Sequence, residues 1–374
     1  MTPRVVLLRG TAANPWELRP WELLQEEGAA EVELVVPPDN LYDTSIVRVP
    51  TTRVRTVGGV LPRGLPKSLL LKAVGQRHVG LEQTLRDADI VHAAELGYWF
   101  SWQAARLKSR LGFRLALTVW ETLPFGNAYR NIRTRRYRRE VREQTDLYLA
   151  ATDRARDALL LEGAPEDRIR VSPPGVDVDR FQSVAAQEHT GRQFVLSVGR
   201  LVWEKGHQDV LRAVALLRSR TQHDVGAIIV GVGPEERRLR AVAHDLGIDD
   251  AVEFRGFVPH DEVPIMFASA ACLVLASLPT PYWEEQFGMV LAEAMAARLP
   301  VIASASGAIP EVLAGYGTLF MPGDWPGLAK ELLRGPLADP VQERPSTAPN
   351  QLARYTAEAA AARVQEAYGE LLGW

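Results

Sequence analysis

The stretch CLVLASLPTPYWEEQFGMVLAEAMAARLPVIAS, residues 272–304, contains the pattern that decides the fold. Its two ends, CLVLAS (272–277) and PVIAS (300–304), are almost continuously apolar, as strands are when both faces of a parallel sheet are covered. A loop with two prolines follows the first strand, and a helix is predicted over 288–297. This order of strand, helix and strand predicts one unit of a parallel α/β sheet.

The same alternation runs along the whole chain. We expect two sets of six strands, at residues 4–9, 31–37, 89–94, 114–120, 146–152 and 168–174, and at 193–199, 225–231, 251–256, 272–277, 300–304 and 318–322. Helical patterns lie between most of them. The sequence therefore predicts two Rossmann-like, doubly wound parallel sheets, with ligands bound in a cleft beyond the carboxyl ends of the strands.

The chain has 374 residues, which favours two domains over one. Residues 172–193 combine prolines, a glycine and a polar tail, and are typical of an interdomain connection. We assign residues 1–178 to the first domain and 179–350 to the second. Residues 351–374 form a further helix of strong propensity.

Composition excludes several classes of protein. With 47% apolar and 24% charged residues the chain is a folded globular protein, and a net charge of −3 gives no argument for nucleic acid. The single cysteine, Cys272, is expected to be buried in a strand. No apolar run reaches the length of a membrane span, and the N-terminus lacks the features of a signal peptide, so a cytoplasmic location is expected.

The turn SVGRLVWEKG (197–206) is a candidate phosphate site. Gly199 follows a strand, Arg200 and Lys205 supply two cations, and a helix opens at Gly206. Two cations beside the free N–H groups of a helix start can hold a phosphate or diphosphate. A solvated turn with two incidental basic residues is the alternative.

Two glutamates flank the start of the predicted helix over 288–297. Glu285 precedes it and Glu293 lies inside it, so both can face the same cleft, where carboxylates accept hydrogen bonds from sugar or ribose hydroxyls. The N–H groups of Gly288, Met289 and Val290 are expected to be free for an anion. Alternatively, the acids only complement the helix dipole, which explains Glu293 less well because it is mid-helix.

Together with the two glutamates, several motifs resemble the retaining glycosyltransferases of family 4 (group 1), which have the GT-B fold. The motifs, in chain order, are SPPGVDVDRF, GRLVWEKG, GVGPEERRL, VEFRGFVPHDEVP and SGAIPEVL. The similarity covers nearly all of the second half and the connection. The first half matches mainly in strand order and in ADIVH.

The resemblance implies a role for each matching residue. Arg200 and Lys205 would bind the donor diphosphate, Glu285 the donor sugar and Glu293 the ribose. The helix 351–374 would return to the first domain. Further positions assigned to the donor site are Gly199, Gly233, Phe257, Val258, Phe287, Gly288, Met289 and Val290.

The first half departs from the family pattern. The first loop offers only Gly10 where a double glycine is usual, and Trp120 and Glu121 stand where a histidine near the reacting carbon is common. Glu121 either replaces that histidine or is an acid at a loop start. His92, at the end of its strand, is either part of the site or a satisfied histidine.

No metal or other cofactor is expected, because the two cations and the helix start occupy the role of a metal. The acidic pairs DAD (87–89) and DVD (177–179) are poorly placed for one. A nicotinamide fingerprint is disfavoured, since Glu236 stands where its third glycine would fall.

The Arg-rich helix over 130–142 has three interpretations: a solvated helix, a contact with an anionic membrane surface, or a site for an anionic acceptor. Arg135, Arg138, Arg139 and Arg142 fall at helical spacing on one side.

The sequence thus predicts a retaining, metal-independent transferase. It would move a hexose from a nucleoside-diphosphate sugar to a hydroxyl acceptor, which is a sugar, a glycolipid or a secondary metabolite. The alternatives are a nucleotide-sugar epimerase, a sugar phosphorylase with a pyridoxal cofactor, and a non-catalytic subunit that binds nucleotide sugar. The sugar, the base and the acceptor stay open.

Overall fold

A computed structural model describes residues 2–60, 77–126, 132–182, 184, 192–221, 224–259, 261–338 and 349–373. The chain divides into two compact units. The first unit is Met1–Gly175 together with Thr356–Trp374, and the second is Val176–Tyr355. The sequence placed the two boundaries three residues after Gly175 and five before Tyr355.

The first unit contains a parallel sheet of seven strands in the order β3-β2-β1-β4-β5-β6-β7. The strands are β1 (Arg4–Leu8), β2 (Glu31–Val36), β3 (Thr51–Arg53), β4 (Ile90–Ala94), β5 (Arg114–Val119), β6 (Leu147–Ala150) and β7 (Ile169–Val171). The helices described here are α1 (Arg19–Glu26), α2 (Val57–Val60), α3 (Leu81–Leu85), α4 (Trp99–Leu111), α5 (Ile132–Gln144) and α6 (Asp153–Leu161).

The second unit contains a parallel sheet of six strands in the order β10-β9-β8-β11-β12-β13. The strands are β8 (Gln193–Val198), β9 (Val225–Val230), β10 (Val252–Arg255), β11 (Cys272–Leu275), β12 (Val301–Ser304) and β13 (Thr318–Phe320). Its described helices are α7 (Val178–Gln182), α8 (His207–Arg220), α9 (Glu236–Asp245), α10 (Val263–Ser269), α11 (Met289–Ala296), α12 (Ile309–Leu313), α13 (Trp325–Arg334) and α14 (Pro349–Ala353).

Alternating side chains of β1 show why the first sheet is covered on both faces. Val6 and Leu8 belong to one buried apolar cluster, and Val5 and Leu7 belong to another. All four are fully buried. Each such side chain contributes roughly 1.5–3 kcal/mol on burial, which explains a strand without polar alternation.

The last helix, α15 (Ala357–Leu372), belongs to the first unit. Thr356 caps it by accepting the N–H of Ala359 at 3.1 Å. The helix packs against α1, where the Trp21 indole donates to the Tyr368 hydroxyl at 3.0 Å. The single helix predicted over 351–374 is therefore two, because the chain breaks at the Thr356 cap after α14.

All twelve predicted strands are present, and a thirteenth was missed. The missed strand, β3, has the sequence TTR and lies at the edge of the first sheet. Three residues without an apolar side chain carry no strand pattern, so pairing with β2 alone defines it.

The Arg-rich helix α5 differs from its predicted one-sided pattern. Arg138 forms an ion pair with Glu162, and Arg142 donates to the Glu162 carbonyl, so both point into the fold. Arg135 and Arg139 are exposed. The first two residues of the predicted range 130–142 lie outside the described residues. Among the helices described, none is long and apolar enough to cross a membrane.

Candidate functional site

The strand order of the second sheet reverses between β8 and β11, where open α/β sheets bind ligands. The turn after β8 touches the end of β11. A Cβ atom at Gly206, whose φ is +71°, would lie 1.8 Å from the Ala276 carbonyl oxygen. Leu278 N–H also donates to the Glu204 carbonyl at 2.8 Å. Glycine at 206 thus lets the two loops meet at the point of reversal.

Lys205 and Glu285 come from these two loops and form an ion pair. The Lys205 Nζ lies 2.7 Å from Oε2 and 3.0 Å from Oε1 of Glu285. Ser277 Oγ donates to Glu285 Oε2 at 2.6 Å, and the Trp283 ring centroid lies 5.0 Å from Nζ. Only 15% of the Lys205 side chain and 7% of the Glu285 side chain are exposed. The pair is therefore fixed and largely desolvated.

Arg200 is the second predicted cation, and its side chain is exposed. Its guanidinium forms no ion pair or hydrogen bond with the residues that the structure describes. Gly199 precedes it, and the stem of Lys205 passes close over that glycine, with Cδ 3.6 Å from where a Cβ would stand. The predicted phosphate turn thus presents one paired and one unpaired cation.

His207 fixes the backbone of this turn, a role that the sequence did not reveal. Its Nδ1 lies 2.9 Å from Ser197 Oγ and its Nε2 lies 3.2 Å from the Arg200 carbonyl oxygen. Burial lowers the pKa of His207 to about 4. The ring is therefore neutral near pH 7, and its N–H can donate to the Arg200 carbonyl.

Helix α11 begins beside Glu285, and Gly288 occupies its N-cap position. The N–H groups of Gly288, Met289 and Val290 donate to no described backbone acceptor. The Phe287 side chain is buried, with its ring 5.5 Å from that of Tyr355. Position 287 can therefore offer only its backbone to a ligand, and the helix start offers free donors to an anion.

Glu293 is buried inside α11, which packs on α7. Burial lowers the pKa of Arg180 on α7, and the carboxylates of Asp177, Glu293 and Asp261 oppose that shift. Arg180 is thus within electrostatic reach of Glu293. The sequence did not single out Arg180, because no sequence pattern shows that it packs near Glu293, which is more than a hundred residues away.

Exposed apolar side chains follow neighbouring strands of the same sheet. Phe257, after β10, is 68% exposed, and Val232, after β9, is 53% exposed. Val258 is partly exposed, and Gly233 lies against the Leu201 backbone. Phe257 and Val232 thus present exposed apolar side chains just after two adjacent strands of the sheet.

In the first unit His92 is fully buried rather than open at the sheet edge. Its Nδ1 lies 2.5 Å from the Tyr368 hydroxyl and its Nε2 lies 2.8 Å from Thr118 Oγ1. Burial, reinforced by the Arg9 charge, lowers its pKa well below the ordinary value. His92 is thus the satisfied histidine of the second interpretation, and it has no free ring nitrogen for a substrate.

Glu121 lies at the carboxyl edge of the first sheet, where Oε1 accepts the Leu123 N–H at 3.0 Å. Glu95 lies close by and was missed. Its Oε1 accepts the Trp120 N–H at 2.7 Å, and burial, with Glu121 adding to it, raises its pKa to about 7. The position of Glu95 directly after β4 is the sequence feature that could have identified it as a candidate. The loop residue Gly10 lies against the Phe100 ring and is not part of this pair.

The second unit therefore brings together most of the predicted donor residues around one reversal of strand order. The first unit brings Glu95 and Glu121 together and removes His92 from the candidates. Among the residues described, no group of three or more His, Cys, Asp or Glu side chains could hold a metal ion.

Two family models match adjacent parts of the chain. The model for glycosyl transferases group 1 matches residues 179–345, and the model for glycosyltransferase family 4 matches residues 22–180.

Known relatives agree with these matches. A D-inositol 3-phosphate glycosyltransferase of Corynebacterium jeikeium is 30% identical over 315 residues, which are 76% of this chain and 72% of the relative. A GDP-mannose-dependent phosphatidylinositol monomannoside mannosyltransferase of Mycobacterium tuberculosis is 32% identical over 185 residues, about half of each chain (47% and 48%). The solved structure of Anabaena HepE with UDP and glucose has a TM-score of 0.78 at 18% identity, and the match covers 98% of this chain and 100% of that one.

Proposed function

This chain belongs to the group 1, family 4 glycosyltransferases and has the GT-B fold, and from that membership we propose that it is a retaining hexosyltransferase. The donor is a nucleoside-diphosphate sugar bound by the second unit. The acceptor is a hydroxyl compound bound on the side of the first unit.

One observation supports the donor site most: Lys205 and Glu285 meet at the reversal of strand order in the second sheet. A cation there suits a diphosphate, and a carboxylate 2.7 Å away suits the hydroxyls of the attached sugar. The free N–H groups at the start of α11 add donors for the same anion.

In the proposed reaction the bond between the anomeric carbon and the diphosphate oxygen breaks, and the acceptor oxygen bonds to that carbon. Lys205 and Arg200 stabilise the negative charge that grows on the leaving diphosphate. The acceptor attacks from the face that the diphosphate leaves, and a leaving phosphate oxygen takes the acceptor proton. We propose that the protein cations serve in place of a metal.

The nucleoside would bind beside helix α11. We propose that Glu293, within electrostatic reach of Arg180, accepts hydrogen bonds from the ribose hydroxyls, and that the exposed Phe257 contacts the base together with Val258. The similarity to a GDP-mannose-dependent enzyme makes GDP-mannose the first donor to test, and the similarity to an inositol phosphate glycosyltransferase makes cyclitols the first acceptors.

A thermal-shift series with UDP-, GDP- and ADP-sugars, followed by a transfer assay with the stabilising donor, tests this function. A bound donor at hundredfold excess over its Kd adds about 2.7 kcal/mol of stability. The anomeric configuration of the product, read by NMR, tests retention. Conversion of the donor without an acceptor would instead identify an epimerase.

Peripheral contact with an anionic membrane through α5 is a separate proposal. It depends on the exposure of Arg135 and Arg139, the second of which lies 3.8 Å from Glu143, whereas Arg138 and Arg142 point into the fold towards Glu162. Co-sedimentation with anionic vesicles at low salt should decrease in the double variant Arg135→Gln/Arg139→Gln, and an unchanged pellet would refute the contact.

A further inference from the structure

A cavity of about 330 Å³ lies in the first unit between α3 and α4. Arg77 and His78 line it from the segment before α3, and Trp102 and Arg106 line it from α4. None of the proposed donor contacts belongs to it. The established family membership and the proposed donor site leave this cavity without a role.

Two cations converge on one aromatic ring in this cavity. The guanidinium carbon of Arg77 lies 4.9 Å from the Trp102 ring centroid, and that of Arg106 lies 5.2 Å from the same centroid. Cation–π contacts of this kind stabilise each charge but leave its N–H donors free to bond. The ring therefore orients two guanidinium groups without using their donors.

Neither guanidinium forms an ion pair with the residues that the structure describes. The acid at the cavity wall, Glu82, lies 2.5 Å from Arg110 in an ion pair of its own. The sequence contains no Asp or Glu from residue 44 to residue 81, so this stretch of the chain before the cavity offers no other acid. The two cavity arginines thus have no ion-pair partner among the residues described.

Two further acids lie within electrostatic reach of the cavity residues: Asp39 near His78, and Glu140 near Arg106. The Glu140 carboxylate already accepts hydrogen bonds from the Trp102 indole and from Arg136. Glu140 thus holds the Trp102 ring through its indole N–H and accepts no hydrogen bond from Arg77 or Arg106.

Buried polar atoms without partners lie at the same place. Neither ring nitrogen of His78 makes a hydrogen bond of good geometry, although the residue is only 5% exposed and the Arg9 backbone lies close by, and Nε of Arg77 is without a partner. Such atoms are rare in folded proteins, and a polar ligand that reached them would gain hydrogen bonds. The His78 backbone itself is held by Gln103, which accepts its N–H at 2.8 Å and donates to its carbonyl at 2.9 Å.

We propose that this cavity is a binding site for a phosphate monoester, gripped by the guanidinium groups of Arg77 and Arg106 above the Trp102 ring. Planar guanidinium donors match the geometry of phosphate oxygens, and a preformed wall lowers the cost of ordering the site. The volume suits a small polyol phosphate or the head group of a phospholipid. The site does not depend on the proposed transfer reaction.

The test uses the full chain labelled with ¹⁵N in its tryptophans. The Trp102 indole resonance is assigned with Trp102→Phe and followed during titration with glycerol 3-phosphate, with glycerol as the uncharged control. We expect a saturable shift with the phosphate ester and none with glycerol. Because Trp102 belongs to the cavity, phosphate bound at Arg200 does not produce this shift.

Three variants make the assignment specific. Arg77→Gln and Arg106→Gln should each raise the Kd for glycerol 3-phosphate about tenfold, as the loss of a charged hydrogen bond predicts. Arg86→Gln removes an exposed arginine that follows α3 and does not line the cavity, so its Kd should not change. The other indole resonances report whether each variant is folded.

Vesicles distinguish the two sources of the phosphate. Co-sedimentation with phosphatidic acid vesicles that both cavity variants lose and Arg86→Gln keeps would assign the site to a lipid head group. A Trp102 shift in solution without vesicle binding would assign it to a soluble ester. A Trp102 resonance that does not move, or an equal loss of affinity in Arg86→Gln, overturns the proposal whatever the vesicles show.

Discussion

The ammonium group of Lys205 lies 2.7 Å from one carboxylate oxygen of Glu285 and 3.0 Å from the other. The two residues are 80 positions apart and come from the loops after β8 and β11, on either side of the reversal in strand order. Each group therefore holds the other in place before a ligand arrives. A bound donor would have to engage both charges, the diphosphate at the cation and the sugar at the carboxylate.

Removing the cation should therefore affect the reaction more than the binding. Lys205→Ala is expected to lower kcat by ~10²–10³, the scale of losing one transition-state stabiliser. It should also cost roughly 3 kcal/mol of stability, because Glu285 stays buried without its counter-ion. Steady-state kinetics well below the thermal midpoint of the variant separate the two effects.

Lys330→Ala is the matched control for this variant, since Lys330 is an exposed lysine on α13 of the same unit. It should leave both kcat and stability unchanged within error. Near-normal turnover in Lys205→Ala would remove Lys205 from the proposed site.

Substitutions of the two glutamates should affect different quantities: kcat for Glu285 and nucleotide affinity for Glu293. Glu285→Gln keeps the shape but loses the charge beside Lys205, so kcat should fall through poorer placement of the donor sugar. Glu293→Gln should weaken binding of the nucleoside diphosphate itself, about tenfold for one charged hydrogen bond. Calorimetry with the nucleoside diphosphate and kinetics with the donor sugar measure the two effects. The reverse pattern would exchange the two assignments.

His207 should make stability depend on pH in a defined window. Its pKa falls from the ordinary 6.5 in the unfolded chain to about 4 in the folded one. Below 6.5 the unfolded chain takes up a proton that the folded chain refuses. The contribution is therefore complete above 6.5 and is lost as pH falls towards 4, about 3 kcal/mol in all.

Urea unfolding at about pH 7 and about pH 5 measures this loss, and wild type should lose about 2 kcal/mol more than His207→Gln. The buried His78 and His92 are present in both proteins, so their contributions cancel. Equal losses in the two proteins would mean that folding does not lower the pKa of His207, and would contradict its burial as a neutral ring.

Local patterns in the sequence were enough for the regular elements near the donor site. Helix α8 begins directly after Gly206, where the sequence predicts a helix start, and α11 begins directly after Gly288. The apolar strands were all found, since buried parallel strands differ most from loops in composition. The positions of Arg200, Lys205 and Glu285 at strand ends followed from these elements.

Contacts between distant residues could not be read in this way. Ser277 and Lys205 both bond Glu285, yet only the close approach at Gly206 brings them together. The sequence left His92 either in the site or satisfied by neighbours, and the structure shows it inside β4, covered by Tyr368, 276 positions away. Position along a strand predicts an edge, but only tertiary packing decides whether that edge is free.

Tyr368 should stabilise the first unit through its hydroxyl alone. It accepts the Trp21 indole N–H at 3.0 Å and lies 2.5 Å from His92 Nδ1, and burial raises its pKa, so the hydroxyl stays protonated. Tyr368→Phe keeps the ring and leaves two buried polar atoms without a partner, at a cost of about 1–3 kcal/mol. Tyr98→Phe, which removes a phenol on a half-exposed side chain of the same unit, should change stability by less than about 0.5 kcal/mol. Denaturant unfolding measures the free energy of unfolding of both variants. Equal losses in the two variants would show that apolar packing, and not this hydroxyl, holds α15.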